Sequence, residues 1–380
     1  MSAIYIHIPF CKQACNYCNF HFSASRKKKP EFLQALKNEI VLQKDFFNDG
    51  INSKAIIDTL YLGGGTPSIL DIGEINSIFE EITKYYILSP SAEITLEANP
   101  DDLTLQKLQE LRQTPVNRLS IGVQSFHAPD LTYMNRAHNP QHAMQALENS
   151  KKAGFENITV DLIYGTPGLS DKQWLTNIET LIDLDIRHIS AYSLTVEPKT
   201  PLDLFIRKGK NKPIDDGQAA QQFEILCNVL SRHGYDHYEI SNFGRPGYYS
   251  RHNMVYWSGK PYLGLGPSAH SFMPGKRRWN VANTSQYIAQ LAKNQIPYEE
   301  EILTPVQQHN EYVMTSLRTM WGIDKMVIKQ KFGAEALSNL LISAQKHLIR
   351  NNLKESKSHI IITQQGKFYC DGIASDLFMD

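Results

Sequence analysis

Short apolar runs rich in β-branched and aromatic residues recur through the first half of the chain, at residues 4–8, 57–62, 93–97, 118–123, 158–164 and 188–194, each followed by glycine or turn residues. They predict six strands. Between them the apolar positions take helical spacing: Phe32, Leu33, Leu36, Ile40 and Val41 behind Pro30, then Ile75, Ile78, Phe79 and Ile82, then Leu175, Ile178, Leu181 and Ile182. Alternating strand and helix units imply a parallel sheet covered by helices. Polar and glycine-rich residues fall just after the strands, at the edge where parallel α/β barrels place their chemistry. Six units rather than eight predict an incomplete, open barrel; a doubly wound sheet shares the same pattern.

Beyond a further helix over residues 218–233, the pattern loosens. Residues 237–300 are rich in glycine and aromatic residues and read as an irregular linking region. From residue 301 the periodicity is helical again (311–321, 326–332, 335–350), with a short strand at 360–363 and a terminal helix. The expected division is 1–236, 237–300 and 301–380, the last a small helix-rich domain resembling a winged helix.

Charge narrows the partners. Lysine plus arginine (39) equals aspartate plus glutamate (39), so no global field draws the chain to nucleic acid or an anionic membrane. Residues 301–380 carry nine basic against eight acidic side chains, which lacks the footprint of a DNA reader, and no nucleic-acid partner is expected. Arg26 to Lys29 reads as a solvated loop before a helix. With no basic leader and no run of 18 apolar residues, no transmembrane segment is expected and the cytoplasm is the expected location.

Five cysteines is an odd count, and Cys11, Cys15 and Cys18 sit within eight residues, on a loop directly after the first strand. That arrangement suits a metal centre better than disulfides. Three thiolates in CxxxCxxC spacing can bind three irons of a cubane, leaving the fourth iron without a protein ligand. S-adenosylmethionine can chelate such an iron through its amino and carboxylate groups. A zinc site using the same cysteines with His21 is the alternative. Cys227 and Cys370 lie far away in sequence and read as core thiols.

Other constellations gain meaning beside that loop. Gly63, Gly64, Gly65, Thr66 and Pro67 follow the second strand, where missing side chains let backbone approach a ligand. Glu97, Gln124 and Asp161 lie at the ends of the third, fourth and fifth strands, and Arg136 follows the fourth. Such groups suit ribose hydroxyls, an adenine edge and a methionyl carboxylate. In the segment Arg251 to Trp257, an imidazole at His252 beside aromatic rings can be an axial heme ligand or a hydrogen-bonded structural residue.

The order YIHIPFCxxxCxYC, GGGTP, ExNP, RLSIGVQSF, DLIYGTPG, YEISNF, RHNxxYW and GLGPSAH resembles the HemN/HemW branch of the radical-SAM superfamily over nearly the whole chain. The resemblance implies an α/β fold, a partial (βα)6 radical-SAM barrel with the family's C-terminal domain. It implies a [4Fe-4S] cluster on Cys11, Cys15 and Cys18, and S-adenosylmethionine held by Tyr5, Tyr17, Gly64, Gly65, Thr66, Glu97, Gln124, Arg136 and Asp161. The branch divides between oxygen-independent coproporphyrinogen III dehydrogenases of porphyrin biosynthesis and heme chaperones. The dehydrogenases carry a fourth cysteine two residues after the third, where this chain has Phe20, and an N-terminal extension for which the strand ahead of Cys11 leaves no room. Both departures favour the chaperone group, which implies heme at His252, an acceptor protein to receive it, and an electron donor for the cluster.

Overall fold

The computed structural model describes residues 2–47 and 54–379. Six strands, β1 (Ala3–Ile8), β2 (Ile56–Gly64), β3 (Ile87–Ala98), β4 (Arg118–Gln124), β5 (Asn157–Tyr164) and β6 (His188–Ser193), pair in parallel in chain order. Their side chains alternate, apart from irregularities between Ile57 and Thr59 and between Ile121 and Gln124. Ile4, Ile6 and Ile8, then Leu60 and Leu62, Leu119 and Ile121, and Val160 and Leu162 point to one face. There they form one core with Phe32, Leu36 and Ile40 of the helix Lys29–Leu42 and with Ile75, Ile78 and Ile82 of the helix Ile72–Tyr85. The other face is polar, and the register keeps it so: Tyr5 pairs with Tyr61, Thr59 with Glu93, Glu97 with Ser120, Ser120 with Thr159, and Asp161 with Ser190. A parallel sheet with helices on both faces would have apolar residues on both. Here the curved sheet turns its polar face inward, and the helices cover only the outside.

The sheet does not stop at six strands. It runs on through β7 (Asp236–Glu239) and β8 (Asn242–Gly244) beyond β6, and through β9 (Tyr262–Leu265), β10 (His270–Met273), β11 (Lys276–Asn280) and β12 (Tyr298–Ile302) beyond β1, twelve strands among the described residues. The stretch that reads as irregular in the sequence therefore extends both edges of the barrel. Its strands are only three to five residues long, too short to show a period, and glycine is built into them. A Cβ at Gly264 would lie 2.1 Å from the His270 carbonyl oxygen, so β9 and β10 meet only because that side chain is missing.

The last part of the chain has its own apolar cluster. Val313 and Leu317 of the helix Pro305–Leu317 pack with Leu340, Leu353, Ile360 and Ile373 around a small antiparallel sheet of Ile323–Asp324, His359–Ile362 and Leu353–Glu355. Among the described residues no helix is long and apolar enough to cross a membrane.

Candidate cluster and cofactor site

The cysteine loop leaves β1 and is fastened at both ends. Cys11 N–H donates to the Ser23 carbonyl (3.0 Å) and Ser23 N–H to that of Pro9 (2.8 Å), which closes the loop at its base. Its tip is held by Asn16, whose N–H donates to the Met134 carbonyl (3.0 Å) and whose carbonyl accepts from Leu202 (2.9 Å). All three cysteines are half-buried and free. Thr66 Oγ1 lies 3.6 Å from Cys11 Sγ, and an Arg136 guanidinium nitrogen 3.3 Å from Cys15 Sγ. Burial pushes the Cys18 thiol up to about 11 and raises that of Cys11, and repulsion between neighbouring thiolates adds to both. Cys11 and Cys18, whose charged forms burial and neighbouring thiolates disfavour, are natural ligands for a cationic centre, which displaces the protons and removes the repulsion. His21, the fourth ligand of a zinc alternative, places Nε2 2.9 Å from Thr284 Oγ1 instead.

The glycine turn after β2 is shaped by this loop. Gly65 N–H donates to the Ile8 carbonyl (2.9 Å) and Thr66 N–H to that of Phe10 (2.8 Å), so the turn lies against the start of the cysteine loop. Gly64 has φ +108°, and a Cβ there would fall 2.6 Å from the His7 ring. Glu97 clasps the same turn: one carboxylate oxygen accepts from Gly64 N–H (3.0 Å), the other from the Tyr61 hydroxyl (2.9 Å).

The remaining strand-end groups converge on the rim. Gln124 is buried and holds φ +68°, a left-handed conformation costly for a residue with a side chain. A Cβ at Gly122 would lie 2.9 Å from the Gln124 amide and 3.3 Å from Arg136, so this glycine lets the two side chains meet. Arg136 donates to the Gly122 carbonyl (2.8 Å) and to Asn99 Oδ1 (2.7 Å), while its Nε is buried without a partner. Tyr17 leans on the small apolar cluster around Leu131, Met134 and Leu202.

Inside the barrel lies a cavity of about 210 Å³, walled by Tyr5, Tyr61, Glu97, Arg118, Ser120, Asp161 and Tyr192 and floored by His252, Asn253 and Tyr256. Burial, reinforced by Asp161, pushes Glu97 up to about 7; burial pushes Asp161 up to about 6 against hydrogen bonds from Ser190 and Ser120 and the charge of Arg118. His252 is 1% exposed, and both its ring nitrogens are engaged, Nδ1 with Thr59 Oγ1 (2.9 Å) and Nε2 with the Tyr256 hydroxyl (2.8 Å). Burial, then the nearby Arg118 charge, lowers its pKa to about 3, so the imidazole is neutral. In this arrangement the histidine meets the cavity floor rather than an open surface. Ligand pockets usually measure about 300–1,000 Å³, and a porphyrin does not fit beside it.

The structure thus gathers Tyr5, Glu97 and Asp161 into one cavity and places Cys11, Cys15, Thr66, Gln124 and Arg136 on the rim above it. His7, Tyr61, Asn99 and Arg118 also belong to the site; His7, Asn99 and Arg118 lie within the motifs YIHIPFC, ExNP and RLSIGVQSF without a role being assigned to them, and Tyr61 lies in none. The alternation of polar and apolar residues in β1, β2 and β4 is the signal that points to His7, Tyr61 and Arg118, since it puts every second side chain on the interior face.

The family model of the radical SAM superfamily matches residues 5–181. The heme chaperone HemW of Bacillus subtilis (strain 168) is 36% identical over 375 residues, covering 97% of this chain and 96% of its own. HemW of Lactococcus lactis subsp. lactis (strain IL1403) is 33% identical over 331 residues, 87% of this chain and 85% of that one. Among solved structures, coproporphyrinogen III oxidase (HemN) from Escherichia coli superposes with a TM-score of 0.85 at 23% identity, covering 100% of this chain and 90% of its own, a likeness of fold.

Proposed function

Because the chain belongs to the family of HemW heme chaperones within the radical-SAM superfamily, we propose that it holds a [4Fe-4S] cluster on Cys11, Cys15 and Cys18, binds S-adenosylmethionine beside it, and carries heme to an acceptor protein. A cluster with one open iron supplies an electron to a chelated sulfonium nucleotide. This chain's residues bind and orient. Thr66 and Arg136, which follow two different strands, reach the sulfurs of Cys11 and Cys15, and that juxtaposition carries the reading. Gly64 and Gly65 present backbone at close range, Tyr17 and Arg136 bracket the loop, and Tyr5, Glu97, Gln124 and Asp161 offer hydroxyl, carboxylate and amide groups to the nucleotide and the methionyl end. Raised towards neutrality by burial, Glu97 and Asp161 can accept or share a proton with a ligand's ammonium or hydroxyl groups.

Heme is cargo on this reading, and His252 is its proposed axial donor. Phe20 supports chaperone over dehydrogenase: it is 68% exposed, apolar, and stands where the related dehydrogenases have a cysteine. The thiol centre calls for a reducing compartment, the cytoplasm, and for an electron donor to the cluster.

Anaerobic reconstitution tests the centre. We expect about four irons and four sulfides per chain, loss of both in Cys18→Ala, and a change in the reduced cluster's electron paramagnetic resonance when S-adenosylmethionine is added. Zinc in place of iron would overturn the proposal. Hemin titration of the loaded protein should give a saturable Soret shift that weakens in His252→Ala, and turnover of coproporphyrinogen III would reassign the chain to the dehydrogenases.

A further inference from the structure

The floor of the barrel is a separate piece. The helix Arg251–Trp257 closes the end of the barrel opposite the cysteine loop, where Thr59 and Arg118 stand near the starts of their strands. Glu93 holds its first turn, accepting from the backbone N–H groups of Arg251 (3.1 Å) and His252 (2.9 Å). Thr59 and the stacked ring of Tyr61, 5.0 Å away, hold the His252 side chain.

Three features show that this seat is limited. The helix has seven residues, about two turns. It is flanked by Gly247 (φ +88°) and Gly259 (φ +60°), both with open space where a Cβ would stand, while Tyr248 and Tyr249, between Gly247 and the helix, are held by Arg187 and Asp236, so the backbone can turn at the two glycines themselves. The indole N–H of Trp257 is buried with no acceptor, a cost of the seated state.

We infer that the helix Arg251–Trp257 is a releasable plug, and that His252 reaches heme only after the helix leaves the barrel floor. The inference rests on His252 being the heme ligand. In the seated state neither imidazole nitrogen has a lone pair free for iron: one accepts a hydrogen bond, the other carries the ring's proton. Release frees the ring and opens the small cavity at its closed end. The seated helix therefore competes with heme, and the measured affinity is the intrinsic affinity scaled by the released fraction.

This gives an unusual expectation: a substitution that removes a contact in the heme-free protein should tighten heme binding. Thr59→Val keeps the side-chain shape and deletes the hydroxyl that bonds His252 Nδ1. Losing one hydrogen bond of the seated state should raise the released fraction, and with it hemin affinity, roughly five-fold. In the wild-type protein, hemin should also speed amide hydrogen exchange at Arg251 and His252, whose N–H groups lose Glu93.

The outcomes separate cleanly. Tighter hemin binding in Thr59→Val with faster exchange over the helix supports the plug. Weakened binding in His252→Ala, together with unchanged exchange of the wild-type helix on hemin addition, overturns the plug and leaves His252 as ligand. Unchanged binding in His252→Ala removes His252 as ligand, and the plug with it. Because the exchange measurement uses the wild-type protein, it decides the matter even if Thr59→Val folds poorly.

Discussion

A methyl group on Gly65 would lie 2.6 Å from the Phe10 carbonyl oxygen and 2.8 Å from that of Ile8, both backbone atoms where β1 passes into the cysteine loop. Flexible side chains could swing aside; these atoms cannot without moving the loop. Gly65→Ala should therefore lower stability by about 1–3 kcal/mol, read by denaturant unfolding, and reduce the iron retained after reconstitution. Stability loss without iron loss would uncouple the turn from the loop. Single residues also differ in how visible their role is. Cysteine spacing is a property of eight consecutive residues, so the metal loop is marked by the chain alone. The reason for Gly65 is not local: it depends on atoms more than fifty residues earlier in the chain.

Between elements, Glu39 shows how the sheet's extension is tied to the barrel. It is fully buried on the helix Lys29–Leu42 and accepts from Gly266 N–H (2.8 Å), Asn280 Nδ2 (2.6 Å) and the Tyr287 hydroxyl (2.5 Å). Those donors follow β9, end β11 and lie in the helix Thr284–Leu291. Burial pushes Glu39 up to about 7 from 4.5, against these hydrogen bonds and the nearby Arg278 charge. The folded state then holds the proton more tightly than the unfolded chain. Its contribution is fully present below about pH 4.5 and is lost as pH rises through 7, a swing of about 3 kcal/mol. Glu39→Gln should flatten the fall in unfolding free energy between pH 4.5 and 7 by that order, measured by urea titration at several pH values; an unchanged slope would show that the carboxyl titrates normally. The helix itself is legible from its apolar spacing, but the strands it anchors are not. β7 to β12 are short, and their pairing is dictated by edges that β1 and β6 leave open.

Taken together, the largest apolar cluster lies outside a polar barrel interior, and a separate one lies in the C-terminal part of the chain. The helices pack on the outer face of β1–β6, whereas the cluster around Leu317, Leu340 and Ile360 belongs to the last eighty or so residues. That cluster touches the barrel through the outer edge of β7, where Met320 N–H donates to the Tyr238 carbonyl (2.9 Å). Leu317→Ala, at a fully buried site, should cost about 2–5 kcal/mol yet leave cluster iron content unchanged; iron loss in step with stability would mean that the two regions unfold as one unit. Six parallel strands, their helices and the cysteine loop can be read from the residues alone, because each is written in a period or spacing that the chain carries locally. Folding in three dimensions adds the enclosure of a cavity by the polar faces and the place of His252 at its floor. Thr59 and Glu93 secure that histidine from 193 and 159 residues away, and contacts at such separation leave no periodic trace in the chain, since they are created by the curvature of the sheet.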